Sequence, residues 1–182
     1  QQVVRHDIAE VGLRLFGGRA LNSMRLEKSF GTWAREYRPI YGPYEAGLGR
    51  FIALSKGEFI GRAAAAAEKA QGGKRSLITL AVQAGDADAI GDEPIYHGDE
   101  VVGWVTSGGF GHSVGQSLAL GYVAAPVAAA TSGFAVEIIG ERRPAGANAS
   151  QHGASFPPRG ETRRRGACSR GTCRSSRRRA KA

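Results

Sequence analysis

The sequence predicts an α+β protein in which a helical, loop-rich first part is followed by a small β-barrel or sandwich and then by a basic tail. Three observations carry this. Apolar residues recur at helical spacing near the start, five strand-like runs crowd into about 65 residues after Gly73, and the last stretch has no apolar periodicity.

Over residues 2–16, Val4, Ile8, Val11 and Leu15 share one helical face, with Arg5, Asp7, Glu10 and Arg14 largely opposite, and Gly17-Gly18 reads as a stop. Met24 and Leu26 then alternate with Arg25 and Glu27, the period of a strand with one polar face. From Gly31 to Gly49 the chain mixes glycines, Pro39 and Pro43 with Trp33, Tyr37, Tyr41 and Tyr44, and Phe30 stands just before; this composition suits a loop packed over a cleft. Residues 59–70, with the run Ala63 to Ala67, read as a helix ended by Gly72-Gly73, where a domain boundary is placed. The strand-like runs are Leu77–Val82, Glu93–His97, Glu100–Thr106, Leu118–Ala124 and Phe134–Ile139, with His97-Gly98-Asp99-Glu100 as a hairpin turn. Thr106-Ser107-Gly108-Gly109 lacks the GK[ST] of a phosphate loop and reads as a barrel turn. Residues 146–182 are dominated by Arg, Ser, Gly and Ala and are expected to be disordered.

The formal charge of +9 would ordinarily point to an anionic partner, but it is confined to one place. Residues 1–144 hold 15 Lys and Arg against 15 Asp and Glu, whereas residues 145–182 hold 10 against 1. Both cysteines, Cys168 and Cys173, also lie in the tail, so the body has no disulfide framework or cysteine metal site, and a reducing compartment is the simplest expectation. No apolar run reaches the roughly 20 residues of a membrane-spanning helix. The chain reads as soluble, in the cytoplasm or, in a eukaryote, the mitochondrial matrix. It starts at Gln1, and its only methionine is Met24, which suggests a cut inside a longer polypeptide.

Five motifs, in order and spacing, carry a resemblance. They are Ser23-Met24-Arg25-Leu26-Glu27, Tyr44-Glu45-Ala46-Gly47-Leu48-Gly49, Lys56-Gly57-Glu58-Phe59-Ile60-Gly61-Arg62, Gly103-Trp104-Val105-Thr106-Ser107-Gly108-Gly109 and Leu118-Ala119-Leu120-Gly121-Tyr122-Val123. Together they resemble the C-terminal half of the glycine-cleavage T-protein, or aminomethyltransferase, family, and the stretch around "YEAGLGRF" looks like the dimethylglycine and sarcosine dehydrogenase branch. The resemblance implies that residues 1–72 are part of a ferredoxin-like α/β domain and residues 73–145 a C-terminal β-barrel. It also implies a tetrahydrofolate site between domains, where a one-carbon unit from an amine donor is captured.

By that resemblance Glu27 matches the glutamate that accepts hydrogen bonds from the pterin ring. The competing reading places it on a solvated strand face beside Arg25. Lys56 falls near a basic position that contacts folate, just before a helix N-terminus; an exposed lysine without a role, beside a Ser55-x-x-Glu58 capping box, is the alternative. Tyr44 and Arg62 complete the candidate folate-binding set, although an architectural role suits both, as it suits Glu45. His97 and His112 stand apart from other ligand types and are read as core or surface residues rather than metal ligands.

The family's catalytic aspartate has no counterpart in this chain, and no dinucleotide fingerprint follows a predicted strand, so any FAD belongs to a missing N-terminal part. Alone, the chain is expected not to turn over. After Ala145 the family would add another strand that closes the barrel; here the sequence turns arginine-rich, which suggests an open edge, a weakened barrel and a shifted reading frame. A different class of function is nucleic-acid binding through Arg163-Arg164-Arg165 and Arg177-Arg178-Arg179, which the body does not support with any basic patch. A role in iron–sulfur assembly would call for Lys-Gly-Cys where the chain has Lys56-Gly57-Glu58.

Overall fold

The structure is a computed structural model that describes Gly12 and residues 15–147 of the 182. The expected helix over 2–16 therefore falls almost wholly outside the described residues, as does the tail beyond Ala147.

The first element is a helix, α1 (Gly18–Glu27), where the sequence alternation had predicted a strand. Five residues are too few to separate a period of two from one of 3.6. The buried residues Ser23, Leu26 and Glu27 follow helical spacing, while Leu21 and Met24 are exposed. Gly17, taken for a stop, is instead the extended residue that precedes the first turn. The far end is a Schellman motif: Phe30 N donates to Arg25 O at 2.8 Å, Ser29 N donates to Leu26 O at 2.9 Å, and Ser29 takes a left-handed φ of 57°. A serine stands where glycine is usual, which is why this helix end was not legible.

Residues 28–61 form an irregular loop broken only by a short 3-10 turn, Gly49–Phe51. Its backbone donors are met by turn carbonyls, such as Leu48 N to Pro43 O at 2.8 Å, and by carboxylates rather than by a sheet. Glu68 Oε1 accepts from Tyr44 N at 2.9 Å and Glu45 N at 3.2 Å, and Glu45 Oε1 accepts from Lys74 N at 2.7 Å and Arg75 N at 3.0 Å. The second helix, α2 (Arg62–Gln71), starts after Gly61 at a φ of 88°, with no side-chain cap, and ends at Gly72. The Ser55/Glu58 capping box is thus not formed, and Lys56 lies six residues ahead of the helix rather than at its mouth.

Six antiparallel strands follow: β1 (Arg75–Val82), β2 (Pro94–His97), β3 (Glu100–Gly111), β4 (Gln116–Ala124), β5 (Phe134–Ile138) and β6 (Glu141–Ala147). They close a barrel in the order β1-β4-β3-β2-β5-β6. The α+β class holds, with no strand before Arg75 among the described residues. Gly98-Asp99 makes the expected two-residue hairpin between β2 and β3, with His97 opposite Glu100.

Two expectations are corrected. The barrel is not left open, because β6 pairs with β5 from Phe134↔Ala145 to Ile138↔Glu141 and with β1 from Leu80↔Ala147 to Val82↔Ala145. The sequence Glu-Arg-Arg-Pro-Ala-Gly-Ala hides this strand, since it contributes backbone pairing and few apolar side chains; its turn, Ile139-Gly140, has positive φ at both residues. Thr106 to Gly109, read as a turn, lies inside β3, with a bulge at Thr106.

Inside the barrel pack Ile78, Leu80, Val82, Ile95, Val105, Val123, Phe134 and Val136. Burying each of these side chains contributes roughly 1.5–3 kcal/mol. Strand β4 is buried on both faces, since Ala119 and Val123 pack inside the barrel while Leu118 and Leu120 lie under Leu26 of α1 and Tyr122 under Tyr41 on the outside. Among the described residues no helix is long and apolar enough to cross a membrane.

Strands β3 and β4 approach so closely at Gly103 that an added Cβ would collide with the backbone of Tyr122 and Val123. Gly103→Ala should therefore destabilise the protein by at least about 2 kcal/mol in urea unfolding. Gly57→Ala, which meets open space, should stay within about 0.5 kcal/mol of the parent. Equal midpoints for the two variants would show that the close strand approach is not real.

Candidate functional site

The bulge in β3 decides the chemistry around it. Successive residues of a strand point to opposite faces, but Val105 pairs with Gly121 and Ser107 with Leu120, leaving Thr106 as the extra residue. The bulge lets two consecutive hydroxyls reach the same carboxylate. Thr106 Oγ1 donates to Glu36 Oε1 at 2.6 Å and Ser107 Oγ donates to the same oxygen. Glu36 Oε2 accepts from Thr32 N at 2.7 Å and from Thr32 Oγ1 at 3.2 Å, and pairs with Arg25 Nη1 at 3.4 Å.

Glu36 is wholly buried. Burial alone would push its carboxyl up, but the hydrogen bonds from Ser107, Thr106 and the Thr32 N–H, with the charge of Arg25, outweigh it and hold the group below the ordinary carboxylate value. The same Arg25 Nη1 also reaches Ser107 Oγ at 3.0 Å and Phe30 O at 3.2 Å, while Nε donates to Asn22 Oδ1 at 2.9 Å. On the other side Tyr122, stacked on Tyr41 at 3.8 Å, donates its hydroxyl to Glu36 O at 2.7 Å. Burial pushes the Tyr122 phenol well up, so it remains a donor.

Glu27, the last residue of α1, is buried and its Oε1 accepts from Ser113 N at 2.7 Å in the β3–β4 turn. Its other oxygen accepts no hydrogen bond from the described residues. Glu27 does not share a polar face with Arg25, as a strand would require; the helix turns the two apart, Arg25 toward Glu36 and Glu27 toward Ser113. Next to this helix end lies a cleft of about 860 Å³ between α1, the β1–β2 connection and the glycine pair of β3; Leu26 and His112 line it, while Glu27 does not.

The other candidates lie elsewhere. Tyr44 packs on Gly49, Arg62 donates to Leu54 O at 3.2 Å and pairs with Glu58, and Lys56 is exposed with its ammonium 5.4 Å from the Phe59 ring centre. Among the described residues no hydrogen bond or ion pair joins Glu27 to any of these three. Glu45, read as architectural, is the carboxylate that joins the loop to the start of β1. His97 and His112 meet Phe134 and Phe110, and the described residues contain no group of three or more His, Cys, Asp or Glu that could hold a metal. Sequence reading missed Glu36. Its only local signal is Thr32 four residues earlier; Arg25 stands 11 residues before it, and Thr106 and Ser107 lie about 70 residues on.

A carboxylate held below its unfolded-state value stabilises the fold fully above that value, and the contribution is lost as pH falls through the folded one. Stability should therefore drop as pH falls below about 4.5, the ordinary value for this group. Glu36→Gln should cost about 3 kcal/mol at pH 7, because Arg25 loses its partner, and should show a shallower acid loss. Parallel pH profiles for the two proteins, followed by urea unfolding, would remove Glu36 as the source.

Comparison with known proteins agrees with this architecture. Residues 75–150 match the glycine cleavage T-protein C-terminal barrel domain, and residues 2–56 match the GCVT N-terminal domain. The chain is 39% identical over 137 residues to the mitochondrial dimethylglycine dehydrogenase of Homo sapiens, covering 75% of this chain and 16% of that protein. It is 39% identical over 117 residues to the aminomethyltransferase of Moorella thermoacetica, covering 64% of this chain and 31% of that one. A crystal structure of glycine cleavage system aminomethyltransferase T from Bartonella henselae shares the fold, with a TM-score of 0.69 at 24% identity over 81% of this chain and 42% of that one. The chain thus spans less than half the length of each of these relatives. On the paired matches, the order of motifs and the closed barrel, the chain belongs to the glycine-cleavage T-protein, or aminomethyltransferase, family.

Proposed function

We propose that this chain supplies part of a tetrahydrofolate site, and that the protein to which it belongs transfers a one-carbon unit from a methylated amine to that folate. One observation carries the reading: Glu27 is a buried carboxylate anchored through one oxygen to Ser113 N, with the second oxygen taking no hydrogen bond from the described residues. A pterin presents adjacent N–H donors in a flat apolar ring. An anchored, largely buried carboxylate beside a cleft suits such a group, because a hydrogen bond to an ionised acceptor is stronger than a neutral one. The fold can hold that carboxylate still, since Leu26 beside it is fully buried on β4.

Tetrahydrofolate, when bound, provides the amine nitrogens that accept the one-carbon unit. In this chain the residues bind and orient. Lys56 and Arg62 are the cations assigned to the glutamate end of the ligand, with Tyr44 shaping the loop between them and the helix end. Lys56 makes no ion pair among the described residues, whereas Arg62 already engages Glu58 and Leu54. We assign the oxidation that releases the one-carbon unit, with its flavin, to regions outside this chain. The name of the human relative, a dimethylglycine dehydrogenase, supports the choice of a methylated amine as donor.

Calorimetric titration of folinic acid into the chain tests the site. Binding should weaken by at least about tenfold in Glu27→Ala, the loss of roughly 1.4 kcal/mol or more expected for a charge-assisted contact, and by less in Glu27→Gln. Affinity that is indifferent to Glu27→Ala would contradict the assignment.

A further inference from the structure

Glu27 can serve a ligand only if its carboxylate is held in place, and the elements that hold it are α1 and the end of β3. Both are tied to Glu36. Arg25, two residues before Glu27, reaches Glu36 Oε2 at 3.4 Å, and Thr106 and Ser107 of β3 donate to Glu36 Oε1. Six residues on from Ser107, the same strand leads into Ser113, the donor to Glu27 at 2.7 Å. A second link runs between the same elements, with Ser23 Oγ donating to Phe110 O at 2.8 Å.

Resting on the reading of Glu27 as the ligand-facing group, we propose that Glu36 is a positioning residue for the Glu27 carboxylate, acting through Arg25 on the helix and through Thr106 and Ser107 on the strand. Its own oxygens are occupied by protein donors, and it has no exposed surface with which to touch a ligand. Loss of the Glu36 charge removes the ionic tie of Arg25, leaving the last turn of α1 held to the barrel by Leu26 on β4 and by Ser23 on Phe110. The junction between Glu27 and Ser113 then opens more often than the rest of the barrel.

Amide hydrogen exchange on the full chain, read by NMR, separates this from a general loss of stability. The control is Val136→Ala, in the barrel interior away from these contacts. Referenced to each variant's own global unfolding, the Ser113 amide should exchange at least about tenfold faster in Glu36→Gln than in Val136→Ala. Ser107→Ala, a milder change, should move it the same way and carries the test if Glu36→Gln does not fold. Folinic acid affinity should fall by at least about fivefold in Glu36→Gln and hold in Val136→Ala. Equal Ser113 exchange in Glu36→Gln, or in Ser107→Ala, and the control overturns the proposal. Faster Ser113 exchange in a chain whose parent shows no folinic acid binding upholds the positioning role and rejects the folate reading instead.

Discussion

The structure turns on a single buried carboxylate. Glu36 accepts hydrogen bonds from its own loop at Thr32, from the β3 bulge at Thr106 and Ser107, and an ion pair from Arg25 at the end of α1. Such a group is costly to bury and contributes only when its partners are complete. Here one β-bulge makes the set complete, because it places two neighbouring hydroxyls on one side of a strand. The long loop has no sheet of its own to satisfy it, and this cluster fixes where it lies on the barrel.

A similar solution recurs along the loop. Glu68 and Glu45 take the backbone donors of residues 42–45 and 74–75, and Glu93 takes those of Ile90 and Gly91 in the connection after β1. Together with turn carbonyls inside the loop, carboxylates do the work that strand pairing does elsewhere, which allows segments rich in glycine and proline to be ordered without regular structure. The barrel supplies the rigid floor. Its closure by β6 removes the unpaired edges that would otherwise invite association.

Much of the barrel was legible because its strands advertise themselves as short apolar runs between turn residues; Leu77 to Val82 and Leu118 to Ala124 are examples. What escaped was structure that rests on the backbone. Strand β6 has Pro144 and Gly146 within seven residues, and the end of α1 uses Ser29 in a conformation that sequence patterns reserve for glycine. At the site, the likeness of Ser23 to Glu27 to a family motif singled out Glu27, whereas its period misassigned the element that carries it. Glu36 could not be found, since the hydroxyls that complete its set, Thr106 and Ser107, lie about 70 residues away and leave no mark on local spacing. Resemblance and periodicity thus reported different things, and the helix shows why both were needed.

The state of the Glu36 carboxyl tests this account most directly. Titration of the protein with 13C-labelled glutamate, following the Glu36 carboxyl carbon by NMR, should give a midpoint below the ordinary 4.5. A midpoint above that value would mean that burial prevails over the hydroxyls and Arg25, and that the cluster is not the ionic clasp described.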